Sequence, residues 1–370
     1  MQIKSITCHD VYNHGASLQA YALQAYMEAQ GHDVQVIDYK PPYLSGHYRL
    51  WIVANPRYDR PFLKQLYLVG KLPERLLSLK RKWAFDKFTK RYLHLTTRRY
   101  HSNEELKAYP PEADVYIAGS DQIWNTFFQN GRDAAFYLDF APKGKRRVAY
   151  AASFATKDVA DNCRGFVRRM LQGLDCISIR EAFSLQLLAS LGRDDGIAVC
   201  DPVFLLSKDQ WNVLLPKERQ SNEKYILVYD TDPVSPIVKK IAQEVAKATN
   251  LPIWNVGSFR LPYACRQFCR KGPLDFVRLI RDSELVISNS FHATAFSLIF
   301  HKHFFVVNRS ESINERMLSL LDDVGLSHLL VSTFSKSFLH PIDYDVVQRY
   351  IDAKIDLSKK FLKNVLVDVN

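Results

Sequence analysis

The sequence predicts an α/β chain of two Rossmann-like domains facing a cleft. Three observations carry this. Short apolar runs of strand length alternate with helix-period segments along almost the whole chain, as in parallel strands covered by helices. The 370 residues suffice for two domains of ordinary size. The 47% hydrophobic and 24% charged residues are those of a folded globular protein.

The first domain is expected over residues 1–207. Residues 3–8 read as its first strand. Asn13-His14-Gly15-Ala16-Ser17 is a turn, and a helix follows over 18–30. Leu18, Tyr21, Ala22, Ala25, Tyr26 and Ala29 mark its apolar face, and Gly31 suits its stop. Further strands are expected at 34–37, 114–118, 147–153, 175–179 and 197–200, and a helix over 180–191. Residues 208–224 cross to a second domain, expected over 208–342. Its strands read at 225–229, 251–256, 284–288 and 303–307. Helices fall at 236–249, 273–281 and 312–324. A last helix, within 343–370, is expected to lie back across the first domain. Two such domains across a cleft fit a glycosyltransferase-B-like plan, which by itself does not set function.

The net charge of +11 is concentrated. Residues 57–100 hold 13 Lys/Arg against 3 Asp/Glu, an excess of +10, so the rest of the chain is nearly neutral. That speaks against a general nucleic-acid surface. The bases interleave with Phe62, Leu63, Leu66, Tyr67, Leu68, Leu76, Leu77, Leu79, Trp83, Phe85 and Phe88, a spacing that predicts amphipathic helices broken at Gly70 and Pro73. One reading is a surface that contacts an anionic membrane or meets a lipid-linked substrate. The other is a helical excursion that packs its apolar side on the domain and solvates its lysines. No run approaches the ~18–20 apolar residues that cross a bilayer. The first residues lack a signal-peptide pattern, so a cytoplasmic site is expected, with peripheral contact at the inner face of the membrane through 57–100. Of six cysteines only Cys265 and Cys269 are close-spaced. One such pair is a weak metal signal, and free thiols with no metal are expected.

Four strand ends carry polar residues that packing does not require. The most informative is Ser288-Asn289-Ser290-Phe291-His292-Ala293-Thr294, between the apolar runs Leu285-Val286-Ile287 and Leu298-Ile299-Phe300. A strand's carboxyl end meeting a helix amino end is where open α/β folds hold anions and do chemistry. His292 there is a proton donor or acceptor near neutral pH. Ser290, Asn289 and Thr294 are candidate ligand groups around it. The bland alternative is a core histidine satisfied by a carbonyl. At Asn13-His14-Gly15 the glycine admits a close ligand and the helix amides favour an anion, or Asn13 is a plain cap. In Gly119-Ser120-Asp121-Gln122-Ile123-Trp124-Asn125, Asp121 is a candidate general acid or base and Trp124 a sugar-stacking ring. The alternative is again a capping aspartate. Arg180 at a strand end either grips a carboxylate or phosphate or pairs with Glu181 or Asp201. Arg316 is a second candidate cation for the cleft or a solvated helix arginine.

These segments resemble the polysaccharide pyruvyl transferase family. The resemblance rests on Asn13-x-Gly15-Ala16-x-Leu18-Gln19-Ala20-Tyr21-Ala22-Leu23, Val36-Ile37-Asp38-Tyr39 and the Gly119–Asn125 segment. It continues in Tyr150-Ala151-Ala152-Ser153-Phe154, Ser178-x-Arg180-Glu181, Asp201-Pro202 and residues 290–297. The motifs stand in family order. The resemblance implies a glycosyltransferase-B-like fold. It also implies transfer of a pyruvyl group from phosphoenolpyruvate to a sugar, closing a cyclic ketal on two hydroxyls. By motif, His292 looks like the family's catalytic histidine, Arg180 like its phosphoenolpyruvate-binding arginine and Asp121 like an active-site acid. Two positions depart: Ser290 stands where better-studied members carry an arginine, and His14 where an aromatic such as Tyr is expected.

The expected function is therefore pyruvyl transfer to a sugar of a surface polysaccharide or its lipid-linked precursor. Phosphoenolpyruvate is co-substrate and no cofactor is required. A nucleotide-sugar-dependent glycosyltransferase and a non-catalytic saccharide-binding protein on the same fold are the alternatives.

Overall fold

A computed structural model describes residues 1–45, 61–219, 221–232, 235–309 and 311–367. Residues 46–60 and 220 lie outside it, and with them the first residues of the basic segment and one residue of the expected crossing. The side chains of Phe62, Leu63 and Leu77 are outside it as well.

The first sheet is assembled from β1 (Gln2–Ile6), β2 (Asp33–Tyr39), β3 (Leu95–Tyr100), β4 (Val115–Ala118), β5 (Arg146–Ala152), β6 (Cys176–Ile179) and β7 (Ile197–Ala198). The strands pair in parallel in the order β3-β2-β1-β4-β5-β6-β7. Strand β4 is buried along its length and β5 from Val148 onward, which is why both read as apolar runs. Helices α1 (His14–Ala29), α2 (Pro42–Ser45), α3 (Pro61–Tyr92), α4 (Asn103–Ala108), α5 (Arg164–Leu171), α6 (Ser184–Ser190) and α7 (Lys208–Val213) connect and follow them.

The second sheet has β8 (Ile226–Tyr229), β9 (Ile253–Val256), β10 (Arg266–Phe268), β11 (Leu285–Ser288), β12 (His303–Val307) and β13 (Leu330–Val331), all parallel, in the order β10-β9-β8-β11-β12-β13. Helices α8 (Pro236–Thr249), α9 (Pro273–Asp282), α10 (Phe291–Ile299) and α11 (Glu311–Asp323) cover it. In each sheet the order reverses beside the first strand. Ligands bind at such switch points in open α/β sheets.

One apolar cluster runs through both units. Trp211 on α7 is fully buried. It meets Tyr21 of α1 at 5.9 Å and Phe296 of α10 at 5.0 Å between ring centroids. These contacts bring the amino ends of α1 and α10 together. Helix α12 (Tyr344–Val367) crosses both units: its Ser358 hydroxyl accepts the Cys200 N–H at 2.8 Å, and its Lys354 pairs with Asp323 at 3.1 Å.

Two expectations for the basic segment are corrected. Helix α3 runs unbroken past Gly70 and Pro73. Pro73 has no N–H for the Val69 carbonyl, but Val69 is exposed, so water can satisfy that carbonyl without a break. The segment's end, Leu95–Tyr100, is an edge strand rather than helix. Thr97, Arg98 and Arg99 are exposed, so burial leaves no alternation to read. The expected helix over 180–191 is shorter, Ser184–Ser190, because Arg180 and Glu181 are held in side-chain bonds ahead of it.

Candidate active site

Strand β11 ends at Ser288, and the turn after it is fixed by its own side chains. The Ser288 hydroxyl donates to the Tyr229 carbonyl at 2.6 Å and accepts the Ser290 N–H at 3.1 Å. The Asn289 amide donates to Asp230 Oδ1 at 2.6 Å, and its oxygen accepts the Thr231 N–H and hydroxyl at 2.9 Å. Helix α10 starts from this pinned turn, with His292 in its first turn and 7% exposed. Facing it is the start of α1. A Cβ on Gly15 would lie 1.9 Å from His292 Nδ1, so the imidazole rests directly on the glycine backbone. Gly15 is required by this approach between the two units.

On its other side His292 meets Asp201, which follows β7 of the first sheet. His292 Nε2 lies 3.5 Å from Asp201 Oδ2. That oxygen also accepts Arg180 Nη1 at 3.0 Å and the Ser120 hydroxyl at 3.1 Å, while Oδ1 accepts the Val203 N–H at 3.1 Å. Burial pushes the Asp201 carboxyl up, but His292 and Arg180 outweigh it and hold it well below the usual carboxylate range. Asp201 is therefore an ionised carboxylate facing the imidazole edge of His292, whose Nε2 makes no hydrogen bond among the described residues. Arg180 is itself enclosed. Its Nε pairs with Glu181 at 2.8 Å, Nη2 donates to Ser153 at 3.3 Å, and the guanidinium lies 4.2 Å from the Phe291 ring centroid.

Arg316 of α11 shares a small cavity of about 30 Å³ with Arg180, Asp201 and Phe291, room for roughly one water. It is half-buried, and its Nε has no hydrogen-bond partner among the described residues. Burial and the Arg180 charge pull its pKa down to about 10, while Glu181 and Asp121 act against them. Asp121 is half-buried and sits at φ 74°, left-handed backbone that a non-glycine residue adopts at a cost of roughly 1–3 kcal/mol. Its carbonyl accepts the Ser153 N–H at 3.1 Å beside β5, and its charge reaches both Arg180 and Arg316.

The polysaccharide pyruvyl transferase family model matches residues 13–311, which include every group just described except Arg316 of α11. The chain belongs to this family. The family indicates a transferase acting on polysaccharide. Comparison with curated proteins finds no match. Among solved structures, UDP-N-acetylglucosamine 2-epimerase from Rickettsia bellii aligns with TM-score 0.54 at 12% identity, over 100% of this chain and 97% of that one. A protein assigned as the same epimerase from Listeria monocytogenes gives 0.50 at 10%, over 96% and 88%. The glycosyltransferase SnogD from Streptomyces nogalater gives 0.42 at 10%, over 99% of each chain. At these identities the likeness to the two epimerases concerns the fold alone; with its two parallel sheets the chain is glycosyltransferase-B-like.

In this pyruvyl transferase family member the structure gathers His292, Asp121, Arg180 and Arg316 into one neighbourhood, with Gly15 beneath the histidine. Several other expected ligand groups are committed elsewhere. Trp124 is fully buried, stacked on Tyr137 at 5.3 Å with its indole N–H on the Phe136 carbonyl, so it has no face for a sugar. Asn13 Oδ1 accepts the Gly15 and Ala16 N–H groups at 2.9 and 3.3 Å. It is a helix cap, and the anion reading of those amides fails. Asn289 is taken up by Asp230 and Thr231, and the Thr294 hydroxyl donates to the Ser290 carbonyl at 3.1 Å. Arg180 has internal acceptors on all three guanidinium nitrogens, so it positions Asp201 rather than offering a free fork.

Ser290 is half-exposed at the start of α10 and makes no side-chain cap there, so no side chain closes off the helix's first amides. His14 takes the place of the expected aromatic by acting as one. It stacks on Phe276 at 4.8 Å and meets Phe85 at 5.0 Å. Neither ring nitrogen has a partner among the described residues; burial first, then Arg81, push its pKa well below the ordinary histidine value.

Sequence reasoning does not single out Asp201 as a partner of His292. Its signal is present in Asp201-Pro202 at a strand end, but that pair also reads as a cap, and Asp201 does accept the Val203 N–H. Among the described residues no group of His, Cys, Asp or Glu is placed to hold a metal, and all six cysteines are free.

Proposed function

We propose that the protein transfers the pyruvyl group of phosphoenolpyruvate to two hydroxyls of a saccharide, a surface polysaccharide or its lipid-linked precursor. The observation that carries this is the His292–Asp201 pair resting on Gly15 at an uncapped helix start, with Arg316 unpaired at Nε beside it.

The reaction needs a proton delivered to the methylene carbon of the donor, which makes a methyl group and leaves positive character on the neighbouring carbon. A sugar hydroxyl adds there and loses its proton. Phosphate leaves with the C–O electron pair, and a second hydroxyl closes the ketal while losing its own proton. One proton enters carbon and two leave oxygen; the remaining one goes out on phosphate. In this reading His292, which faces the ionised Asp201, donates the first proton, and Asp121 accepts one from the hydroxyl. Such groups contribute ~10²–10⁴-fold each. The first amides of α10 and the Arg316 guanidinium meet the donor's phosphate and carboxylate. In this reading Arg316 replaces the arginine absent at Ser290, and Arg180 acts through Asp201.

Purified protein incubated with phosphoenolpyruvate and candidate diol saccharides should release phosphate and give a ketal methyl signal by NMR. Turnover of nucleotide sugars with phosphoenolpyruvate untouched would overturn the reading. So would activity unchanged in His292→Ala.

A further inference from the structure

Helix α3 carries an apolar row on the side away from the protein. Phe85 and Phe88 pack inward and are buried. Val69, Leu72, Leu76 and Trp83 are exposed, Val69 by 71% and Trp83 by 62%. Their spacings of three, four and seven residues put them on one face at 3.6 residues per turn, roughly opposite Phe85. Leu66, also exposed, continues the row toward the helix start. Contiguous exposed apolar surface of this kind is uncommon unless something covers it.

Among the described side chains, the fully exposed charges along the row are basic. Lys80, Lys87 and Lys90 fall on or beside it and are exposed or half-exposed, and Arg91 follows. The nearby acid Asp86 is held by Lys82 and by the Tyr12 hydroxyl. No described helix is long and apolar enough to cross a membrane. An apolar stripe flanked by lysines, with a tryptophan in it, is the chemistry of a helix lying in the headgroup region of a bilayer. A second copy of the chain is a poor occupant, because a two-fold contact through this face would bring the two lysine sets together.

We propose that the outward face of α3 seats the protein on an anionic lipid surface. The apolar row enters the headgroup boundary, and Lys80, Lys87 and Lys90 meet lipid phosphates. This stands independently of the donor and of the chemistry at His292.

The test is co-sedimentation of the full chain with vesicles of phosphatidylglycerol and phosphatidylcholine, against phosphatidylcholine alone, at low and high salt. Binding is expected only to the anionic vesicles, weakening with salt. Lys80→Glu/Lys87→Glu/Lys90→Glu should lower it by about a hundredfold or more. Trp83→Ser/Leu76→Ser should weaken binding at low salt while leaving the circular dichroism and the melting temperature unchanged. Equal binding to both vesicles, or variants that bind like the native chain, overturns the proposal. Two further outcomes also reject it. If the native protein ignores vesicles and is a dimer that Trp83→Ser dissociates, a second copy covers the row. If it ignores vesicles and Trp83→Ser lowers the melting temperature of a monomer, the chain covers the row itself.

Discussion

His292 Nε2 stands 3.5 Å from Asp201 Oδ2, although the two residues are 91 positions apart and belong to different sheets. Asp201→Asn keeps the shape and removes the charge. It should lower kcat by about 10²–10⁴-fold, because the imidazole loses the negative charge that faces it. KM for phosphoenolpyruvate should stay within a fewfold. Steady-state phosphate release checks both, and a change confined to KM would contradict the assigned role.

Gly15→Ala is the sharpest steric test. The new Cβ would occupy the place of the His292 ring. Helix α1 itself gains propensity from the substitution, so global unfolding is not expected. A misplacement of roughly 1 Å costs about 10²-fold in rate, and kcat should fall by at least that. Native kcat in the Gly15→Ala enzyme would show that His292 does not work from this position.

Arg316→Met should raise KM for phosphoenolpyruvate by about 10–100-fold, the worth of a charge-assisted hydrogen bond of roughly 1.5–3 kcal/mol. Thermal stability should hold or rise, since the removed guanidinium makes no ion pair among the described residues. Donor titration by calorimetry separates this from a folding defect.

His14 sets an acid limit on stability. Its folded pKa is depressed by burial, so below the unfolded value of about 6.5 the unfolded chain binds a proton that the folded chain refuses. Stability from this group is complete above that pH. It falls by about 1.4 kcal/mol per pH unit below it, until the folded pKa is reached. His14→Phe keeps the stack on Phe276 and removes two unpartnered buried nitrogens. It should stabilise by about 1–3 kcal/mol and flatten the slope between about pH 6.5 and 5, read by denaturant titration at each pH.

The parallel strands and their helices are legible because buried strands and amphipathic helices leave different periods in the chain. The location of His292 is legible for the same reason: a strand run, small polar residues, then a helix run. Its neighbours are less so. Asp201 looks like a cap from its own segment, and its meeting with His292 depends on packing between the two units, such as that of Trp211 between α1 and α10. Trp124 shows the converse. A tryptophan in a polar loop reads as exposed, yet Tyr137 and Phe154 arrive from later in the chain to enclose it. In α3, Gly70 and Pro73 read as breaks because propensity is local, whereas the helix's continuity depends on what solvates its backbone.

The division of the site between two sheets has a kinetic consequence. Gly15 and Asp201 are supplied by one unit and His292 by the other, so the His292–Asp201 pair exists only while the units are docked. Were they to swing apart to admit a saccharide or let a product go, the imidazole would leave both its glycine seat and its carboxylate in the same movement. With the proposed chemistry, an open molecule would then be idle, and a bound donor would be spared protonation until an acceptor is enclosed.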